Sequence, residues 1–145
     1  MQVRHGDEWI TVRPEPDAFT INTGDMAQIW SNNRYYAPEH RVLTHPSKER
    51  YSAPMFYNPP FDAVVKPLPT LGAPQYSECV WGYFRAQRFA GDFADYGSEI
   101  QTSDFSAGSS SWHVKNQQRF LNQTDFAKPF SVEGNRQLLA PPSVS

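Results

Sequence analysis

The chain has 145 residues with 13 Lys+Arg and 15 Asp+Glu, so its formal net charge is -2 with neutral histidines. That length suits one domain of ordinary size, and the charge balance offers no basic field for a phosphate backbone, which argues against a nucleic-acid partner. Aromatics at 14% argue against full disorder, 13 Pro and 8 Gly exclude a helical bundle, and no apolar run nears the roughly 18 residues of a membrane span.

Taken in chain order, the first elements read as strands. Gln2-Val3 and Trp9-Ile10-Thr11-Val12 form two short runs with His5-Gly6-Asp7 as the turn between them. Ala18 to Asn22 reads as a further strand with Phe19 and Ile21 on one face, and Met26 to Trp30 as a short apolar run closed by Ser31-Asn32-Asn33. Glu39 to Thr44 and Arg50 to Tyr57 read as a hairpin joined through His45-Pro46-Ser47-Lys48-Glu49. Short strands at this spacing predict a β-sandwich or barrel.

The pattern then changes. Residues 66–75 carry Pro67, Pro69 and Pro74 and read as a linker. Ser77 to Phe89 has helical spacing, with Ser77 as a candidate cap. Residues 106–145 sustain no period and read as loop or disorder, with a short helix near Asn116–Asn122. The single Cys79 excludes an internal disulfide framework and fits a reducing, cytoplasmic setting. No secretory leader is visible. Cys79 reads as a small buried group, and His45 and His113 as exposed turn or loop residues.

The chemistry concentrates between His40 and Ser52. In a hairpin, side chains alternate between faces, so Arg50 and Ser52 share one face. A guanidinium can grip a carboxylate through two parallel hydrogen bonds, and a serine hydroxyl adds a third donor. A neutral imidazole at His40, facing the same interior, can hold a divalent metal. The expected site is a pocket for a small acid bridged to a metal ion.

Several of these stretches together resemble a known family. They are Gln2-Val3 with Trp9-Ile10-Thr11-Val12, Gly24-Asp25-Met26, Trp30-Ser31-Asn32, Tyr35, His40-Arg41-Val42, Arg50-Tyr51-Ser52 and Phe56-Tyr57-Asn58-Pro59. In order and spacing they are similar to the C-terminal part of the isopenicillin N synthase-like iron(II)/2-oxoglutarate-dependent dioxygenases. The resemblance runs from residue 2 to about residue 69 and, more weakly, through Tyr76–Phe105. It implies a mainly β chain: a partial double-stranded β-helix (jelly roll) over 1–69, a linker and packed helix over 70–105, and a poorly ordered tail over 106–145. It implies Fe(II) and 2-oxoglutarate as cofactors, with the distal metal-binding histidine at His40 and the cosubstrate contacts at Arg50 and Ser52. Asn32 and Tyr35 read as structural. The implied reaction is oxidation of a small organic substrate, by hydroxylation or desaturation.

The family also places a His-x-Asp ligand pair about fifty residues before the distal histidine, which here falls ahead of Met1. His5-Gly6-Asp7 has that spelling but occupies a hairpin turn, and is read as an exposed loop rather than as the ligand pair. This chain alone is therefore expected to be inactive. The other readings are a non-catalytic carboxylate-binding remnant, or an interaction module that completes its half-barrel with another chain.

Overall fold

The computed structural model describes residues 1–45, 47–93 and 99–140. The low-complexity Pro141-Pro142-Ser143-Val144-Ser145 stretch lies outside the described residues. Two small antiparallel sheets and four α-helices make up the regular structure, which is compatible with part of a larger fold.

The first sheet starts where the sequence predicts. Strand β1 (Gln2–His5) and strand β2 (Glu8–Thr11) pair antiparallel, with Val3 opposite Ile10 and His5 opposite Glu8. Gly6 closes the hairpin at φ 59, a left-handed conformation that a side chain would resist. Strand β3 (His40–Arg41) adds to the other side of β1, placing His40 opposite Val3, so the strand order is β2-β1-β3. The Arg41 guanidinium lies 4.0 Å over the Trp9 ring and ties the two outer strands across one face.

The predicted second strand of the His40–Tyr57 hairpin does not form. Residues 50–57 pair with no strand, and neither do residues 18–22. Their apolar side chains stand in solvent: Phe19 is 96% exposed and Tyr57 95%. Without a facing surface to bury them, alternation alone gives an extended chain no reason to pair. Pro54, Pro59 and Pro60 also withhold ladder donors. Met26–Trp30, read as an apolar run, lies within helix α1 (Asp25–Trp30). That helix stops because Asn32 and Asn33 turn left-handed, at φ 52 and 67.

Asn32 then joins the two halves of the chain. Its amide donates to the carbonyls of Leu71 (3.2 Å) and Ala73 (2.9 Å), and its Oδ1 accepts from the Gln75 N–H at 2.8 Å. Residues 66–75, read as a linker, are thereby clamped onto the end of α1, and include a short 3-10 turn at Pro69–Leu71. The structural reading of Asn32 agrees with this placement.

Beyond residue 60 the chain is a packed helical unit. Strand β4 (Val64–Val65) pairs with β5 (Cys79–Val80), which runs straight into α2 (Trp81–Asp92). The helix starts four residues later than Ser77. That serine cannot cap it, because its N–H is used on the Phe105 carbonyl at 2.6 Å in an extended segment. Helix α3 (Trp112–Gln123) and helix α4 (Arg136–Leu139) follow.

The expectation of a poorly ordered tail is corrected over the described part of 106–140. Phe120 and Leu139 are fully buried against α2 residues such as Tyr83 and Phe84, so this segment completes the core. The helix near Asn116–Asn122 exists but is longer, and helical residues outnumber strand residues, against the mainly β expectation. The core cluster draws its buried apolar residues almost wholly from positions 76–139; Ile29 of α1 is the exception.

Candidate functional site

Arg50 and Ser52 line one open cavity of about 320 Å3, together with Leu43, Thr44, His45 and Lys48. The segment 42–52 curls so that Arg50 Nη2 donates to the Leu43 carbonyl at 3.2 Å, which anchors the guanidinium at the cavity wall. The Ser47 N–H donates to His45 Nδ1 at 3.2 Å and shapes the bend. A second cavity of about 220 Å3 shares Leu43, Thr44, His45 and Arg50 with the first and is lined also by Met1, Gln2 and Thr11 of the first hairpin. All these side chains are exposed enough for water to compete for them, so the pocket is a shallow cationic recess.

His40 does not line either cavity. These two cavities therefore do not bring its imidazole beside the Arg50 guanidinium. The reason is the missing strand at 50–57: with β3 only two residues long, no ladder fixes the register that would bring the two side chains together. The local setting of His40 is nonetheless informative. Its Nδ1 sits 3.2 Å from the Pro38 carbonyl and 3.4 Å from the Asn22 amide nitrogen. Those two contacts need opposite roles of Nδ1, donor toward the carbonyl and acceptor toward the amide, so only one of them is made at a time.

One imidazole does not make a metal centre. Among the described residues no three His, Cys, Asp or Glu side chains gather where they could share an ion. His5 and Asp7 sit at the exposed β1–β2 tip, where Asp7 lies 3.9 Å from Arg4. The donor set present fits a carboxylate-binding recess and does not fit an iron site.

Two other candidates are settled by burial. Cys79 is fully enclosed, and burial, with a smaller contribution from the Asp25 charge, pushes its thiol far above the ordinary range, so it is no nucleophile. His113, expected from the sequence to be an exposed loop residue, is instead 2% exposed on α3. The Tyr83 hydroxyl lies 2.9 Å from its Nδ1 and accepts from the Gln87 and Asn116 amides, each at 3.2 Å. This network belongs to the core.

Sequence reasoning missed Lys48 as a lining residue. The signal was available, because Lys48, Arg50 and Ser52 stand two apart and an extended segment puts such residues on one side.

Comparison with known proteins bears on the first part of the chain: residues 1–59 match the 2OG-Fe(II) oxygenase superfamily. Jasmonate-induced oxygenase 1 of Arabidopsis thaliana is 51% identical over 71 residues, covering 49% of this chain and 18% of the relative. Gibberellin 2-beta-dioxygenase 8 of the same plant is 46% identical over 66 residues, covering 46% of this chain and 20% of the relative. Gibberellin 2-beta-dioxygenase 6 of Oryza sativa subsp. japonica is 37% identical over 98 residues, 67% of this chain and 26% of the relative. The chain therefore spans about a fifth to a quarter of the length of these relatives. No solved structure matches it. Among the described residues no helix is long and apolar enough to cross a membrane.

Proposed function

We propose that this chain carries the cosubstrate-side portion of an iron(II)/2-oxoglutarate-dependent dioxygenase, a jelly-roll oxidoreductase acting on a small organic substrate in the cytoplasm. In this reading Arg50 and Ser52 hold the far carboxylate of 2-oxoglutarate, and His40 is the distal metal ligand. Residues 1–69 are the barrel portion and residues 70–105 pack against it. The observation that carries the reading is the shared cavity of Arg50 and Ser52 within the segment that matches the family.

What the described residues can do by themselves is bind and orient an acid. Guanidinium and hydroxyl donate to one carboxylate, and the Leu43 carbonyl holds the guanidinium in place. Among the described residues no three His, Cys, Asp or Glu side chains gather where they could hold a metal ion, and in this reading the chain alone is inactive. Calorimetric titration of the purified chain with 2-oxoglutarate tests the binding part. Arg50→Ala is expected to weaken binding by about tenfold or more, as loss of a charge-assisted pair of hydrogen bonds implies. Equal affinity in wild type and variant removes Arg50 from the site. Succinate release by the isolated chain with added Fe(II) and ascorbate would overturn the inactive reading.

A further inference from the structure

We infer that the groove between α2 and α3 is a docking site for the leucine-bearing end of a short helix, filled here by the chain's own Arg136–Leu139 and open to the same segment of a second copy. This site lies in the helical half, outside the segment that matches the oxygenases and apart from the Arg50 recess.

The groove carries two donors already aimed at a helix end. The Tyr83 hydroxyl accepts from Gln87 Nε2 of α2 and from Asn116 Nδ2 of α3, each at 3.2 Å. Each amide gives its other hydrogen to α4: Gln87 Nε2 donates to the Leu139 carbonyl at 2.8 Å, and Asn116 Nδ2 to the Leu138 carbonyl at 2.6 Å. The last carbonyls of a helix have no partner within it, so two fixed amides recognise the main chain there, while the buried Leu138 and Leu139 side chains supply the fit. A four-residue helix does not hold its shape alone, so α4 owes its form to the groove. Its tether is loosely held. No residue from 124 to 137 is buried, and among the described residues the hydrogen bonds of 125–135 all stay within 125–138. Ring contacts of Phe126 and Phe130 with Phe120, and of Phe130 with Phe61, are what tie the tether down. Gln87 Oε1 is buried and meets no donor among the described residues. An unmet buried acceptor opposes docking, which favours exchange of the segment over a locked contact. A second copy carries the same sequence whose fit to the groove is on view, and exchange of an identical element between copies is a low-cost route to a dimer.

The test uses the 145-residue chain and a fluorescent peptide of its residues 131–145. In wild type α4 fills the groove, whereas Leu139→Asp sets a charge against the buried site and frees it. Fluorescence anisotropy is expected to show the peptide binding the Leu139→Asp chain about tenfold or more tighter than wild type, where the tethered segment competes. The peptide is also expected to raise the thermal midpoint of the Leu139→Asp chain, and a peptide carrying the same substitution to lose both effects. Tyr83→Phe in the Leu139→Asp chain is expected to weaken capture by about tenfold, because nothing then aims the two amides. A folded Leu139→Asp chain that does not bind the peptide overturns the inference, as does equal binding by wild type. A second variant lacks the exposed Ala127, Lys128 and Pro129 and covers the case in which Leu139→Asp does not fold. With its tether too short for docking within one copy, it is expected to form a dimer by light scattering, and Leu139→Asp in that background to return it to a monomer. A shortened chain that stays monomeric overturns the exchange.

Discussion

Residues 1–59 and residues 76–139 use apolar side chains in opposite ways. In the first region Phe19, Tyr51, Met55, Phe56 and Tyr57 are all strongly exposed; in the second Tyr83, Phe84, Phe105 and Phe120 are almost wholly enclosed. Both regions are rich in rings, so composition is not the difference. The difference is where the partner surface lies. The later region brings its own: α2 buries Tyr83, Ala86, Gln87 and Ala90 along one stripe, and α3 answers with His113, Gln117 and Phe120. The family segment brings a pattern of alternating side chains and a site, but among the described residues it has only a three-stranded sheet on which to place them. The buried core therefore lies in the helical half, while the proposed carboxylate recess lies in the segment that matches the oxygenases.

The largest expected contrast breaks this division directly. Phe120 is fully buried and meets Tyr83, Phe126 and Phe130 at ring separations of 5.6, 6.0 and 5.6 Å. Phe120→Ala is expected to destabilise by about 3–5 kcal/mol, enough to threaten folding of a domain of ordinary stability. Phe56→Ala, at a side chain 78% exposed, is expected to change stability by no more than about 0.5 kcal/mol. Chemical denaturation of both variants measures the pair. Similar losses at the two positions would mean that the family segment is packed in solution.

The same contrast explains what could be read from the sequence. The β1–β2 hairpin was legible because its signals are local: alternating side chains and a glycine that the turn requires. The two-residue spacing of Arg50 and Ser52 puts them on one face and both line one cavity, whereas Lys48, at the same spacing, was missed. Helix α3 was obscured because two of its three buried positions are His113 and Gln117, so apolar periodicity fails along its inner face. Gln117 is buried as a connector: its Oε1 accepts from the Val80 N–H and its Nε2 donates to the Glu78 carbonyl, both at 2.8 Å. No single-sequence pattern announces a polar side chain that serves another element's backbone. The missing strand at 50–57 is the converse case, a correct local pattern without the tertiary surface that would make it pair.

The junction between the two regions gives the next effect in size. The Gly82 N–H donates to the Phe61 carbonyl at 2.8 Å, and a Cβ at this position would overlap both that carbonyl and the Phe61 ring. Phe61 in turn packs on Phe130 at 5.2 Å, so the first turn of α2 holds the chain just past the family segment against the helical core. Gly82→Ala is expected to cost about 1–3 kcal/mol through this clash, despite alanine's better helix propensity. A thermal midpoint unchanged or raised in the variant would show that the two regions are not held together at this contact.

The smallest expected effect is a pH dependence confined to the helical half. Burial lowers the pKa of His113 below its ordinary value of 6.5, and the Asp104 charge opposes this only in part. The Tyr83 hydroxyl accepts from two amides and so gives its own proton to His113 Nδ1. A proton added at Nδ1 would break that bond and set two donors against each other. Because the unfolded chain takes up its proton near 6.5 and the folded chain resists, the unfolded state binds more protons as the solution becomes acid. The stability that His113 contributes is complete above 6.5 and is lost as pH falls through the folded value. The thermal midpoint of wild type is therefore expected to fall between about pH 7 and about pH 5. His113→Gln keeps a polar side chain but cannot titrate, and is expected to flatten that fall at some cost in stability at neutral pH. An equally steep fall in His113→Gln would assign the acid sensitivity to other groups, and the exposed family half, with its surface histidines and carboxylates, would then be the place to look.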